Sequence, residues 1–117
     1  MKKLALFSLF IFVVGCALQT ELVYKDKGDR QCYGDGQTIQ KSSERLQAAG
    51  VKVIESTCGK KAGAVMAVCG GPSLNILIHT IDASDIAKAK TLGYRHLSQL
   101  STDKESTAYQ LVGCPSD

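Results

Sequence analysis

The chain has 117 residues with a formal charge of +3, and its 44% apolar content includes three Phe, four Tyr and no Trp. That length caps it at one modest domain, and a charge this small leaves no electrostatic footprint for nucleic acid. A core built from Ile, Val, Leu and Ala in so short a chain is marginal and calls for a covalent staple.

Met1-Lys2-Lys3 is followed by an apolar run from Leu4 to Val14, broken only by Ser8, and then by Gly15-Cys16. Eleven residues, ten of them apolar, are too few for a stable span, which takes about 20. The positive start and small residue before a cysteine fit an export signal. This segment resembles the lipobox-type signal peptide of bacterial lipoproteins. The resemblance implies that residues 1–15 are removed and that Cys16 is lipidated as the first mature residue. It further implies palmitate-type acylation and an envelope location. Ala17 at the next position resembles cargo sent to the outer membrane, facing the periplasm. An ordinary cut after Ala17 is the competing expectation. All three Phe lie in this segment, and past it the 14 basic side chains fall to 12 against 11 acidic, leaving +1.

Residues 16–30 are polar and without clear period, so they read as a tether, with Glu21 to Tyr24 as a short strand at most. The domain is then expected over 31–117, starting with a strand around Gln31 to Tyr33. Gln37 to Ala49 has a helical pattern that Gly50 is placed to end. Val51 to Glu55 alternates like a strand, and Gly59 to Gly63 reads as a loop. Gly63 to Cys69 is apolar enough for a buried strand, which Gly70-Gly71-Pro72-Ser73 breaks. Leu74 to Ile81 carries apolar residues on both faces, as a central strand covered on two sides would. Asp82 caps a predicted helix from Ala83 to Leu92 that stops at Gly93, and a strand follows at Tyr94 to Leu97. After Ser101 the tail is polar until Tyr109 to Val112.

Two strand–helix–strand halves result, and they specify an α+β fold. The expected architecture is a small two-layer sandwich, ferredoxin-like (split β-α-β), with an antiparallel sheet and two helices. The Gly63–Cys69 strand is surplus to that plan. The runs Gln31-Cys32-Tyr33-Gly34 and Glu44 to Val51, with Leu74 to Leu97, are similar in pattern to SPOR domains. That similarity supports the topology and implies peptidoglycan as a ligand.

With Cys16 lipidated, Cys32, Cys58, Cys69 and Cys114 remain, an even number in an exported chain. They are candidates for two disulfides, with three connectivities open. No C-x-x-C pair exists to favour a metal site or a redox centre, and no cofactor is implied. His79 and His96 are the remaining polar site candidates. A lone His within an apolar strand is more often a hydrogen-bonded core residue than a catalyst. Gly59-Lys60-Lys61 and Gly70 to Ser73 have the composition of anion cradles, although turns explain both. Asp82 and Asp85 are accounted for by helix capping. The reading is therefore a non-enzymatic, lipid-anchored binding or accessory module for an envelope protein or a cell-wall polymer. A SPOR-like peptidoglycan binder and a small thiol- or His-dependent enzyme are the alternatives.

Overall fold

A computed structural model describes residues 19–100 and 108–115. The signal segment 1–15 and Cys16 lie outside the described residues, as do 101–107 and the last two positions. The elements are β1 (Thr20–Asp26), α1 (Ile39–Ala48), β2 (Val53–Lys61), β3 (Asn75–Asp82), α2 (Ile86–Thr91), β4 (Arg95–His96) and β5 (Tyr109–Val112). The sheet runs β4-β1-β3-β2-β5 with every pair antiparallel. Its first four strands follow the split β-α-β order, and β5 adds to the β2 edge. The fold is a disulfide-stapled α+β sandwich with both helices on one face.

Each helix forms where its ends are chemically marked. Thr38 Oγ1 accepts the Lys41 amide at 3.1 Å to open α1, and Gly50 closes it at φ +85°. Asp82 accepts the Ser84 amide to open a 3-10 turn that leads into α2. Along β3 the side chains alternate between two cores. Ile81 joins Val23, Leu46, Val51, Ala89 and Tyr94 under the helices. Ile76 and Ile78 pack on the other face with Tyr24 and Leu97, flanked by Leu100 and Tyr109. The expectation of a central strand covered on both sides therefore holds.

Four expectations are corrected. The segment 16–30 is not a tether throughout, because Thr20–Asp26 is β1, hydrogen-bonded to β3 over its whole length. Val23 is fully buried, so the domain includes Thr20–Asp26 and is not confined to 31–117. Charge disguised this strand, since Lys25 is half-buried although charged. Its ammonium donates to the Leu92 carbonyl at 3.3 Å and lies 5.5 Å from the Tyr94 ring centre. Gln31 to Tyr33 is accordingly a turn, with Cys32 at φ +73°. Gly59 to Lys61 continues β2 instead of forming a loop. Gly63 to Cys69 is an exposed loop, with Met66 81% exposed. Apolar composition argued for a buried strand there, but the sheet positions beside β2 are already filled by β3 and β5.

Gly59 is required by close approach. A Cβ there would sit 2.8 Å from Ile78 Cδ1 and 3.2 Å from the Gln110 carbonyl of β5. Gly59→Ala is expected to destabilise the chain by about 1–3 kcal/mol through overpacking. Gly113→Ala, with nothing within 4 Å, is expected to change little. Urea denaturation of the two variants checks this.

Candidate functional site

Of the three possible connectivities the chain adopts Cys32–Cys69 and Cys58–Cys114. The first bridge ties two segments at one end of the sheet, 27–37 after β1 and 62–74 between β2 and β3. A single side chain reinforces it. Gln31 donates from Nε2 to the carbonyls of Met66 (2.8 Å) and Pro72 (2.9 Å), and its Oε1 accepts the Val68 amide at 3.2 Å. The Gln31 backbone completes the clamp through Gly71 O and Gly70 N. Asp29 bonds Ser73 Oγ and, at 2.8 Å, the Asn75 side-chain amide. Arg30 is held by Asp35 and lies over the Tyr33 ring at 4.6 Å. The Asp35 carboxyl is held below its usual range by hydrogen bonds from the Arg30 backbone amide and side chain.

The clamp presents what composition hid. Val65, Met66 and Val68 are exposed, and Tyr33, whose ring lies near Gly70 and under Arg30, is 60% exposed. No Asp, Glu, Lys or Arg occurs between Lys61 and Asp82. Contiguous exposed apolar patches of several hundred Å² mark interaction sites on many soluble proteins. A cleft of about 680 Å³ opens under it, walled by Ala64, Val65 and Leu74 and floored by Asp29, Arg30 and Asn75. The anion-cradle reading of Gly70 to Ser73 fails on geometry, because the Gly70 and Gly71 amides are taken by the carbonyls of Gln31 and Val68.

His79 lies on β3 beneath α1 and is fully buried. Its Nε2 is 2.8 Å from Ser42 Oγ and its Nδ1 is 2.7 Å from Ser56 Oγ. Ser42 Oγ in turn meets Tyr94 Oη at 2.5 Å, and the Tyr94 hydroxyl also reaches the Ser42 carbonyl at 3.3 Å. Either neutral tautomer satisfies this chain of bonds, and among the described residues no buried side-chain N or O lacks a partner. Burial pushes the His79 pKa down to about 4. The Ser42–His79 distance is one that a nucleophile and its base would have. Both side chains are completely enclosed, and the surface clefts among the described residues are lined by other residues. The network fixes the seat of α1 on the sheet and is closed to solvent.

His96 sits apart from it. Both histidines flank Val23, one on each neighbouring strand, so two strand spacings (about 10 Å) separate them. His96 Nδ1 is 3.8 Å from Glu21 Oε2. It borders a cleft of about 900 Å³ with Leu22, Leu97, Tyr109 and Leu111. Asp82 and Asp85 are not an acidic pair. Asp82 caps the Ser84 amide and hydroxyl, which holds its carboxyl below the usual range, and Asp85 accepts the Lys52 amide. Among the described residues no group of three His, Cys, Asp or Glu is placed to hold a metal, and no helix is long and apolar enough to cross a membrane.

Gln31, Ser42 and Ser56 escaped the sequence reading. Ser42 had a usable signal, lying four positions before Leu46 on the inner stripe of α1. Fold and site together define a stapled α+β sandwich with a sealed polar core and one apolar end. Comparison with known proteins returns no matching family model, no similar curated protein and no similar solved structure.

Proposed function

We propose that the chain is a lipid-anchored module of a bacterial envelope that binds a protein or cell-wall partner and performs no chemistry of its own. The clamped end carries this reading: a disulfide and a glutamine hold Val65, Met66 and Val68 out in solvent. An unpartnered apolar display is costly unless something covers it. Two disulfides support an oxidising compartment, consistent with export and anchoring through Cys16. The enclosure of His79 and the pairing of all four remaining cysteines count against a thiol- or His-dependent enzyme. Replacing Cys16→Ser tests the anchor. The expected result is an unprocessed precursor without lipid label, while the parent chain takes label and fractionates with membranes. A parent chain without label overturns the anchor.

A SPOR-like peptidoglycan binder is the second reading, favoured by the strand order β4-β1-β3-β2 with both helices on one face. Part of the resemblance, Gln31 to Gly34, falls in the clamp and not in a strand. Co-sedimentation with purified sacculi is its expected consequence, and failure to pellet with them removes it.

A further inference from the structure

The two edges of the sheet are finished differently. At one edge β4 has only two residues, Arg95 and His96, and the chain passes at once into the 3-10 turn Leu97–Leu100. A short edge strand that carries charge is a common guard against the addition of another strand. At the other edge β5 offers four residues, Tyr109–Val112, and no charged residue or proline occurs from Ala108 to Cys114. Among the described residues nothing pairs with the outer side of β5. Leu111 is 67% exposed there.

The phase of the hydrogen bonds shows which backbone groups point outward. The Ala62 amide donates to the Ala108 carbonyl at 2.8 Å, whereas the Lys61 amide donates to the Leu74 carbonyl on the β3 side. Ala108, Gln110 and Val112 therefore turn their backbone groups to β2, and Tyr109, Leu111 and Gly113 turn theirs outward. A second copy of this edge, laid antiparallel, matches those groups best with a two-fold axis at Leu111. Leu111 then exchanges bonds with the partner's Leu111, and Tyr109 with the partner's Gly113, for about six bonds in all. An axis at Gln110 would use only Tyr109 and Leu111 of the described strand. An axis at Val112 would set Tyr109 against Pro115, which has no N–H. Side chains agree with the Leu111 axis. Leu111 packs on the partner's Leu111, and Tyr109 lies across the partner's Gly113, where a Cβ would meet nothing within 4 Å. Lys60, beside Gln110 on β2, comes to lie three strand spacings from its copy. That is about 14 Å, beyond the screening length of about 8 Å.

We propose that the chain forms a two-fold dimer in which β5 pairs antiparallel with β5 of a second copy, joining the two sheets into one. The pairing uses neither the anchor nor the loop 62–74. The Cys58–Cys114 bridge already holds β5 against β2, so docking does not bear the entropy of ordering the strand. Leu111 also walls the cleft of about 900 Å³, and the partner's Leu111 extends that apolar wall across the axis.

Sedimentation of the full chain, with both disulfides formed and micelles in excess over chains, should give a monomer at about 10 μM and a dimer at about 1 mM, as suits a small interface. Over that range, exchange of the outward Leu111 amide should slow at least about tenfold, while the Gln110 amide, turned to β2, is protected throughout. In a mixture of isotope-labelled and unlabelled chains, Tyr109 should show contacts to the partner's Gly113. Leu111→Pro removes an outward N–H and no bond to β2. It should remain monomeric at about 1 mM with Gln110 still protected, and Leu111→Lys, which sets like charges at the axis, should do the same without the ring of proline. A monomer at every concentration, a dimer that survives both substitutions, a dimer without the contact from Tyr109 to Gly113, or a Leu111 amide protected equally at both concentrations overturns the proposal.

Discussion

Acidification from pH 6.5 to 4 is expected to remove about 3 kcal/mol of stability, and His79 is the group responsible. Unfolded, its imidazole takes up a proton near pH 6.5; folded, burial holds that uptake down to about 4. Between these values the unfolded chain binds a proton that the native chain refuses, so each step down in pH favours unfolding. The contribution is complete above pH 6.5, declines through the window, and is gone below pH 4. A shift of that size corresponds to about 3 kcal/mol. Asp35 and Asp82, whose carboxyls are held low by hydrogen bonds, act in a separate window. Their stabilisation is present above the ordinary carboxylate value and disappears only as pH falls through their lowered ones. Urea midpoints for the parent and His79→Gln across this range separate the two. Glutamine retains amide hydrogen bonds but does not titrate, so its slope between pH 6.5 and 4 should flatten at some cost in baseline stability. An unchanged slope in His79→Gln would assign the effect elsewhere.

His79 also shows what a sequence can and cannot disclose. Its apolar setting in Leu74 to Ile81 was enough to read it as a core residue on a central strand. Its partners were not legible, because Ser42, Ser56 and Tyr94 come from three other parts of the chain and meet only when the sheet closes. The helices and β3 were legible because caps, glycine stops and apolar periodicity act locally. β1 was hidden for the opposite reason. Lys25 looks like solvent-facing charge until the Leu92 carbonyl and the Tyr94 ring are brought to its ammonium. The loop 62–74 misled through composition: Ala62 to Val68 carries the apolar content of a strand, yet both sides of β2 are already taken by β3 and β5. Its exposure became visible only with the disulfide pairing, which cysteine spacing leaves open.

That pairing makes Cys58→Ser with Cys114→Ser the most damaging change expected. In the chain-entropy account, bridges with sequence separations of 56 and 37 residues stabilise by about 4 kcal/mol each. Against a total of about 5–15 kcal/mol for a typical domain, either loss is large. The two differ in what else holds their segments. Cys58 is buried in β2 opposite Leu77 and Val112, and its bridge pins the end of β5. Releasing it frees the strand whose Tyr109 packs beside Tyr24, Ile76 and Ile78. Entropy and packing are then lost together, and the whole sheet should unfold at lower urea. Cys32 and Cys69 are both exposed, and the segments they join keep the Gln31 clamp and the Asp29 bonds to Ser73 and Asn75. Removing that bridge should loosen residues 62–74 first, with proteolysis confined there while the sheet persists. Urea titration with limited proteolysis distinguishes the two variants. Equal global loss would mean that the clamped end is part of the cooperative core, and a Cys58→Ser, Cys114→Ser chain as stable as the parent would show that β5 needs no staple.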